Sequence, residues 1–244
     1  MKILLDTHTH TLASAHAYST VTENAKYAAG LGMEAIAVTD HCVGISDAPH
    51  IWHFVNLKNI PRDLCGVKIL YGVELNILDP DGTLDMDDEL MEKLDVVNVS
   101  IHSPCYSGVG LSDHTKAYEA AVTHPYTDII CHSGSPDFKY DYEKIISLAK
   151  KHHKLMEINN HSFMVRKSSI ENCRKIAEIC KTMEVGIVVT SDAHFHTDIG
   201  EYTNALKMLA EIDFPEKLIM NRSLEAYADY VRPRKELFRW KMGD

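Results

Sequence analysis

Runs of four to eight residues rich in Val, Ile, Leu and Ala recur along the chain, separated by stretches in which apolar residues return every three or four positions. The first kind reads as strands too apolar to face water on either side, the second as amphipathic helices. Seven strands are predicted: Lys2–Asp6, Ala35–Thr39, Lys68–Leu75, Asp95–Ser100, Asp128–Cys131, Leu155–Asn159 and Gly186–Thr190. Helical spacing covers Val21–Leu31, Asp113–Thr123, Tyr142–His152, Ser169–Met183 and Gly200–Glu211, with a short last helix over Ser223–Tyr230. Thr20 and Glu23 have the spacing of a capping box, and Gly30 and Gly32 close the helix between them and the second strand.

Strands alternating with helices from end to end predict a parallel sheet joined by crossover helices, an α/β fold. No internal repeat, linker or low-complexity segment interrupts the alternation. One domain is therefore expected over residues 1–244, with a tail over 231–244 that includes Arg232-Pro233-Arg234. The length of 244 residues is near that of a single α/β barrel.

Polar residues able to bind metal fall where those strands end. His8 and His10 follow the first strand, Asp40 and His41 the second, His102 the fourth, His132 the fifth, and Asp192 and His194 the seventh; Glu74 closes the third. In a barrel of parallel strands these ends share one rim, the rim on which barrel enzymes place their chemistry. His8-x-His10 and Asp192-x-His194 have a physical reason as pairs, because alternate residues of extended backbone point the same way and can grip one cation. The candidate ligands are His8, His10, His16, His41, Glu74, His102, His132, Asp192 and His194. A closed tetrahedral zinc needs only about four, so two or three divalent ions with open positions are implied, which is the coordination that catalysis requires.

Asp6 and Asp40 lie one or two positions from candidate ligands and are expected to hydrogen-bond their second ring nitrogens. Cys42 and Cys131 adjoin ligands but should point the other way, into the barrel wall. His152 and His153 suit the negative end of a helix, while His114, His124 and His196 read as surface or capping residues.

Charge narrows the substrate. With 25 basic and 35 acidic side chains the formal charge is −10 and no basic tract is present, which disfavours nucleic acid, although bound cations can still draw in a small phosphate ester. Six cysteines without a C-x-x-C pair, no apolar stretch of membrane length and an apolar run at Met1–Leu5 too short for a signal peptide point to a cytoplasmic protein. A homo-oligomer is compatible with the sequence.

Asp6-x-His8-x-His10, Thr39-Asp40-His41, Gly72-x-Glu74, His102, His132 and Ser191-Asp192-x-His194, in this order, resemble the PHP (polymerase and histidinol phosphatase) family over nearly the whole chain. Ala15-His16-Ala17-Tyr18-Ser19-Thr20, Asp47-Ala48-Pro49-His50, Trp52-His53-Phe54 and Glu157-Ile158-Asn159-Asn160 are similar to a subgroup of probable phosphatases related to YcdX. The resemblance implies a distorted (β/α)7 TIM-like barrel and a trinuclear site. His8, His10, Glu74 and Asp192 would hold one metal, His16, His41 and His194 a second, and His102 and His132 a third, with Glu74 bridging the first and third. The amidohydrolase superfamily shares the H-x-H start but typically uses a lysine-derived bridge, where this chain offers Glu74. Two departures, Ser133-Gly134 in place of Pro-Gly after His132 and His161 in place of a small polar residue, leave the ligands intact and bear on the pocket wall.

The expected function is hydrolysis of a phosphate ester by a metal-bound hydroxide, with Glu74, Asp192 and His194 central to catalysis. Arg166 and Lys167, after strand six, are candidates for the substrate phosphate or an anionic tail. His50 and His53, in the long loop after strand two, are candidates for substrate contact. Zinc is the expected metal, with manganese or iron as alternatives for the same ligand types. Competing readings are a phosphodiesterase or nuclease acting on nucleic-acid ends, an amidohydrolase-like enzyme, and a non-catalytic metal-binding module.

Overall fold

The computed structural model describes residues 1–46, 48–165 and 169–231. In chain order its elements are β1 (Leu5–Thr9), α1 (Val21–Gly30), β2 (Ala35–Val38), α2 (Trp52–Val55), β3 (Asp63–Leu64), β4 (Val67–Asn76), α3 (Asp88–Met91), β5 (Val96–Ser100), α4 (Gly110–Thr123), β6 (Ile129–Ile130), α5 (Tyr142–Lys151), β7 (Leu155–Asn159), α6 (His161–Val165), α7 (Ile170–Met183), β8 (Ile187–Thr190), α8 (Thr203–Glu211) and α9 (Leu224–Val231). Parallel pairing runs β1-β2-β4-β5-β6-β7-β8, and β3 adds an antiparallel edge to β4. The ring nearly closes: Thr9 forms a parallel bridge with Ala193, and the His10 backbone N–H donates to Ala193 O at 2.9 Å. This is the seven-stranded distorted barrel expected from the sequence.

Strand residues on the two faces build two cores. Leu5, Ala35, Ala37, Leu70, Val96, Ile129, Leu155 and Val188 fill the lower interior, and Met220, Tyr227 and Val231 close it from below. Val231, the first residue of the expected tail, is thus the buried end of α9. On the outer face Ile36, Val38, Val97 and Val99 pack against helices whose small residues, Ala25 and Ala28 of α1 and Ala117 and Ala121 of α4, allow close approach. The Thr20–Glu23 capping box is formed.

Differences from the predicted elements have local causes. β1 begins at Leu5, so His8 lies inside a strand and not beyond it. Gly200 adopts φ +84°, which helical backbone cannot continue, and α8 accordingly starts at Thr203. The connection between β4 and β5 contains only the four-residue α3, far less than a regular crossover helix.

Candidate metal centre

Alternation alone would turn Leu5 and His8 to opposite faces, yet Leu5 belongs to the interior cluster and His8 is fully buried against Glu74 and Glu157. The pairing of β1 with β2 shifts register between Asp6 and Thr9, an irregularity that lets both side chains point inward. His132 is re-aimed in a similar way. It follows the interior residue Cys131 with φ +26°, and the turn brings its Nε2 to 2.7 Å from Glu74 Oε1. Asp192 also sits in the left-handed region, at φ +53°. Backbone strain of this kind gathers where a side chain must be aimed.

His8, His10, Glu74 and Asp192 converge most tightly. His8 Nε2 lies 3.3 Å from Glu74 Oε2 and 3.4 Å from Asp192 Oδ1, and His10 Nε2 lies 3.6 and 3.0 Å from the same two oxygens. Donors bound tetrahedrally at about 2.0–2.1 Å stand roughly 3.3 Å apart, so this spacing is that of one coordination sphere. His8 Nε2, His41 Nδ1 and Glu74 Oε2 are buried without a hydrogen-bond partner, although His41 Nδ1 is 2.9 Å from that oxygen. Orphaned buried atoms are costly, and their convergence fits a cation. Glu74 turns its other oxygen toward His102 Nε2, at 3.4 Å, as well as His132. The Nε2 atoms of His41 and His16 lie 3.2 Å apart, and the rings of His16 and His194 stack with centroids 4.6 Å apart. All nine candidate ligands therefore meet at one end of the barrel.

A further grouping, His8, Cys131 and Glu157, has a different character. His8 Nδ1 is 2.6 Å from Glu157 Oε1, a hydrogen bond made by the ring nitrogen opposite the Nε2 that faces Glu74 and Asp192, so Glu157 orients the ring. Burial pushes the Cys42 and Cys131 thiols far up, which disfavours the thiolate form that a nucleophile needs.

The charges in the cluster are set by their neighbours. Burial opposes ionisation of Glu74, but His41, His8 and His102 outweigh it and hold its carboxyl well below the usual range. Asp192 is likewise held low by His8, His10 and His194 against the effect of burial. Burial would depress His8, yet Asp192, Glu157 and Glu74 raise it well above an ordinary histidine. Burial and the adjoining His41 push His10 down to about 3, leaving it neutral, the form that binds metal. A site that makes carboxylates anionic and concentrates positive charge on a histidine between them also favours a divalent cation.

The groups that orient the ligands come largely from strand positions that sequence reasoning left unassigned. Glu157 accepts from His8 Nδ1, from the Thr190 hydroxyl at 2.7 Å and from the His132 backbone N–H at 2.6 Å. Asn76 Oδ1 accepts from His102 Nδ1 at 2.7 Å, Ser100 Oγ donates to Glu74 at 2.9 Å, Asn159 Nδ2 donates to Asp192 Oδ2 at 3.0 Å, and His194 Nδ1 donates to Asp192 O at 2.9 Å. Asp6 and Asp40 do not take the expected part. Asp6 accepts from Ser191 and the Tyr202 hydroxyl, tying β1 to the segment after β8. Asp40 accepts from Thr11 and Ser14, at the foot of the loop that carries His16. His196 is also no idle surface residue: its backbone N–H donates to Ser19 Oγ at 2.9 Å, and Tyr18 N–H donates to His194 O at 2.8 Å. The His16 and His194 loops are thereby stitched together.

A cleft of about 650 Å³ opens over the cluster, walled by Ile45, Ser46, Pro104, His161 and Val165. His50 and His53 are not among its lining residues. The His50 ring packs edge-on against Trp52, and His53 is turned to Asp40, with Nε2 3.2 Å from its carboxylate. Arg166, Lys167 and Asp47 lie outside the described residues.

Residues 6–161 match the PHP domain family. A probable phosphatase of Acetivibrio thermocellus is 46% identical over 241 residues, covering 99% of this chain and all of that protein. A second probable phosphatase, of Thermoanaerobacter sp. strain X514, is 44% identical over 237 residues, 96% of this chain and 97% of its own. Among solved structures, histidinol phosphate phosphatase from Lactococcus lactis, complexed with zinc, L-histidinol and phosphate, superposes with a TM-score of 0.63 at 15% identity, covering 88% of this chain and 95% of that one. At that identity the likeness speaks to the fold.

Proposed function

The chain belongs to the PHP domain family, and from that membership we propose that it is a metal-dependent phosphatase acting on small phosphate monoesters. Relatives named probable phosphatases, similar over nearly its full length, support the reaction class. The observation that carries the reading is Glu74, whose two oxygens face separate groups of imidazoles, Oε2 toward His8, His10 and His41 and Oε1 toward His102 and His132. One carboxylate placed in this way suits a bridge between two cations.

On this reading His8, His10, Glu74 and Asp192 hold one ion, His16, His41 and His194 a second, and His102 and His132, with Glu74, a third. Zinc fits these donors, as do manganese and iron. Such ions, when bound, neutralise phosphoryl oxygens and bring the pKa of water toward neutrality. The chain's own residues supply the rest. Glu157, Asn76 and Asn159 fix the ligands so that little reorganisation is needed as charge develops. Glu74, Asp192 and His194 take the central positions, and the cleft walls hold the organic part of the ester. The net charge of −10 and the absence of Lys or Arg among the described lining residues weigh against a nuclease. Six cysteines with no disulfide among them suit a reducing compartment, and we place the enzyme in the cytoplasm.

The test is hydrolysis of a chromogenic phosphate monoester beside its diester, by protein of known metal content and by Glu74→Ala and His194→Ala. Metal-dependent monoester turnover, lowered at least a hundredfold in both variants, is expected. Cleavage of the diester alone would overturn the proposal in favour of a nuclease.

A further inference from the structure

The cleft separates into two chemistries. Its floor is the ligand cluster, and apart from the ligands its walls are Ile45, Pro104 and Val165, a single hydroxyl from Ser46 and the imidazole of His161. Among the described residues no lysine or arginine lines it. Of the wall residues Val165 is 58% exposed, and two aromatic residues close in sequence to candidate ligands, Tyr18 and Phe195, are 68% and 42% exposed. Exposed apolar side chains around a concave site are a mark of ligand binding, because they gain from being covered.

His161 is held firmly in this wall. The preceding Asn160 donates its backbone N–H to Thr190 O at 2.9 Å and accepts from Ala205 N–H at 3.0 Å, and Asn159 Oδ1 accepts from Ser162 N–H at 3.1 Å. Anchors on both sides fix the start of α6. The His161 ring lies 24° from parallel to that of His194 with centroids 5.9 Å apart, a flat platform beside a candidate ligand. Among the described residues such a wall offers a second anionic group no lysine or arginine, whereas a flat, uncharged ring can cover the apolar side chains and lie against the imidazole.

Resting on the phosphatase reading, we infer that the ester taken by this site carries an uncharged, ring-bearing leaving group, recognised by His161 with Ile45, Pro104 and Val165. The experiment compares benzyl phosphate, glycerol 3-phosphate and 3-phosphoglycerate, all esters of primary alcohols, so that departure of the alkoxide is comparable. Benzyl phosphate is expected to lead in kcat/KM by about tenfold or more, the scale on which an apolar pocket discriminates. His161→Ala and Val165→Ser should each shrink the lead to within about threefold, chiefly through KM. Calorimetric binding to the zinc-loaded protein gives a readout independent of turnover, with phenylphosphonate expected to bind at least fivefold tighter than methylphosphonate. Metal-dependent turnover that favours glycerol 3-phosphate would overturn the inference while leaving the phosphatase reading intact. Preference for 3-phosphoglycerate would also overturn it and would point to Arg166 and Lys167. If no monoester were cleaved, the phosphatase reading would fail, and the two phosphonates would decide this one: equal affinities count against it, the fivefold difference for it.

Discussion

Replacing Glu157 by Gln changes almost no volume and removes one charge, so it isolates what that carboxylate does for the ligands. All four contacts to its oxygens come from donors: His8 Nδ1 and the Thr190 hydroxyl on Oε1, the His132 N–H and Asn159 Nδ2 on Oε2. A glutamine must turn its NH2 toward one of these pairs. On the Oε1 side it forces His8 to accept at Nδ1 and carry its proton on Nε2, the atom that faces Glu74 and Asp192. On the Oε2 side it leaves the buried His132 N–H unpaired, at a cost of about 1–3 kcal/mol. Either orientation should weaken metal binding about 10- to 100-fold, the usual effect of removing a group that orients a ligating histidine, equivalent to about 1.4–2.7 kcal/mol. Zinc competition against a chromogenic chelator measures this directly, with circular dichroism to show that the variant is folded. Thermal unfolding should fall by several degrees, at roughly 2–4 °C per kcal/mol for a chain of this size. A folded Glu157→Gln protein with wild-type zinc affinity would refute the argument.

Two further outcomes are expected beyond the activity and specificity tests above. Gly72→Ala places a methyl group 2.7 Å from Val96 O and from Thr39 Cγ2; since the carbonyl belongs to the neighbouring strand, β4 must shift, costing about 1–3 kcal/mol by urea unfolding and lowering turnover because Glu74 lies two residues on. Removal of metal by a chelator should lower the unfolding temperature, and zinc at a hundred times its Kd should restore about 2.7 kcal/mol, measured by scanning calorimetry; an unchanged transition would count against a cation among the buried carboxylates.

Much of the barrel was legible because its strands are buried on both faces, which writes them as apolar runs, and because the ligand types sit at their ends. The helices α2, α3 and α6, absent from the sequence pattern, are four or five residues long, too short for helical periodicity to register, and β3 has only two residues. The orienting groups carry a signal of their own: Glu74-x-Asn76, Asn98-x-Ser100 and Glu157-x-Asn159 are polar pairs at strand spacing inside apolar runs, which marks the face turned to the barrel interior. Closeness in sequence suggests Asp6 and Asp40 as partners of ligating rings, but their carboxylates meet hydroxyls and backbone amides instead. No local pattern announces the link between Ser19 and His196, because the partners are 177 positions apart.

The near-closure of the ring between β1 and β8 sets the order in which the molecule can be completed. His8 and His10 emerge from synthesis ahead of Asp192, their partner across the seam, which follows only after about 180 more residues. An ion gripped by all three would act as a buckle, pinning the first strand to the last as a long-range crosslink does. On the chain-entropy formula for a loop of that length, such a clasp disfavours the unfolded chain by about 5 kcal/mol. The same atoms that would prepare the chemistry would also keep the barrel shut, and a nascent chain cut short before β8 could assemble neither.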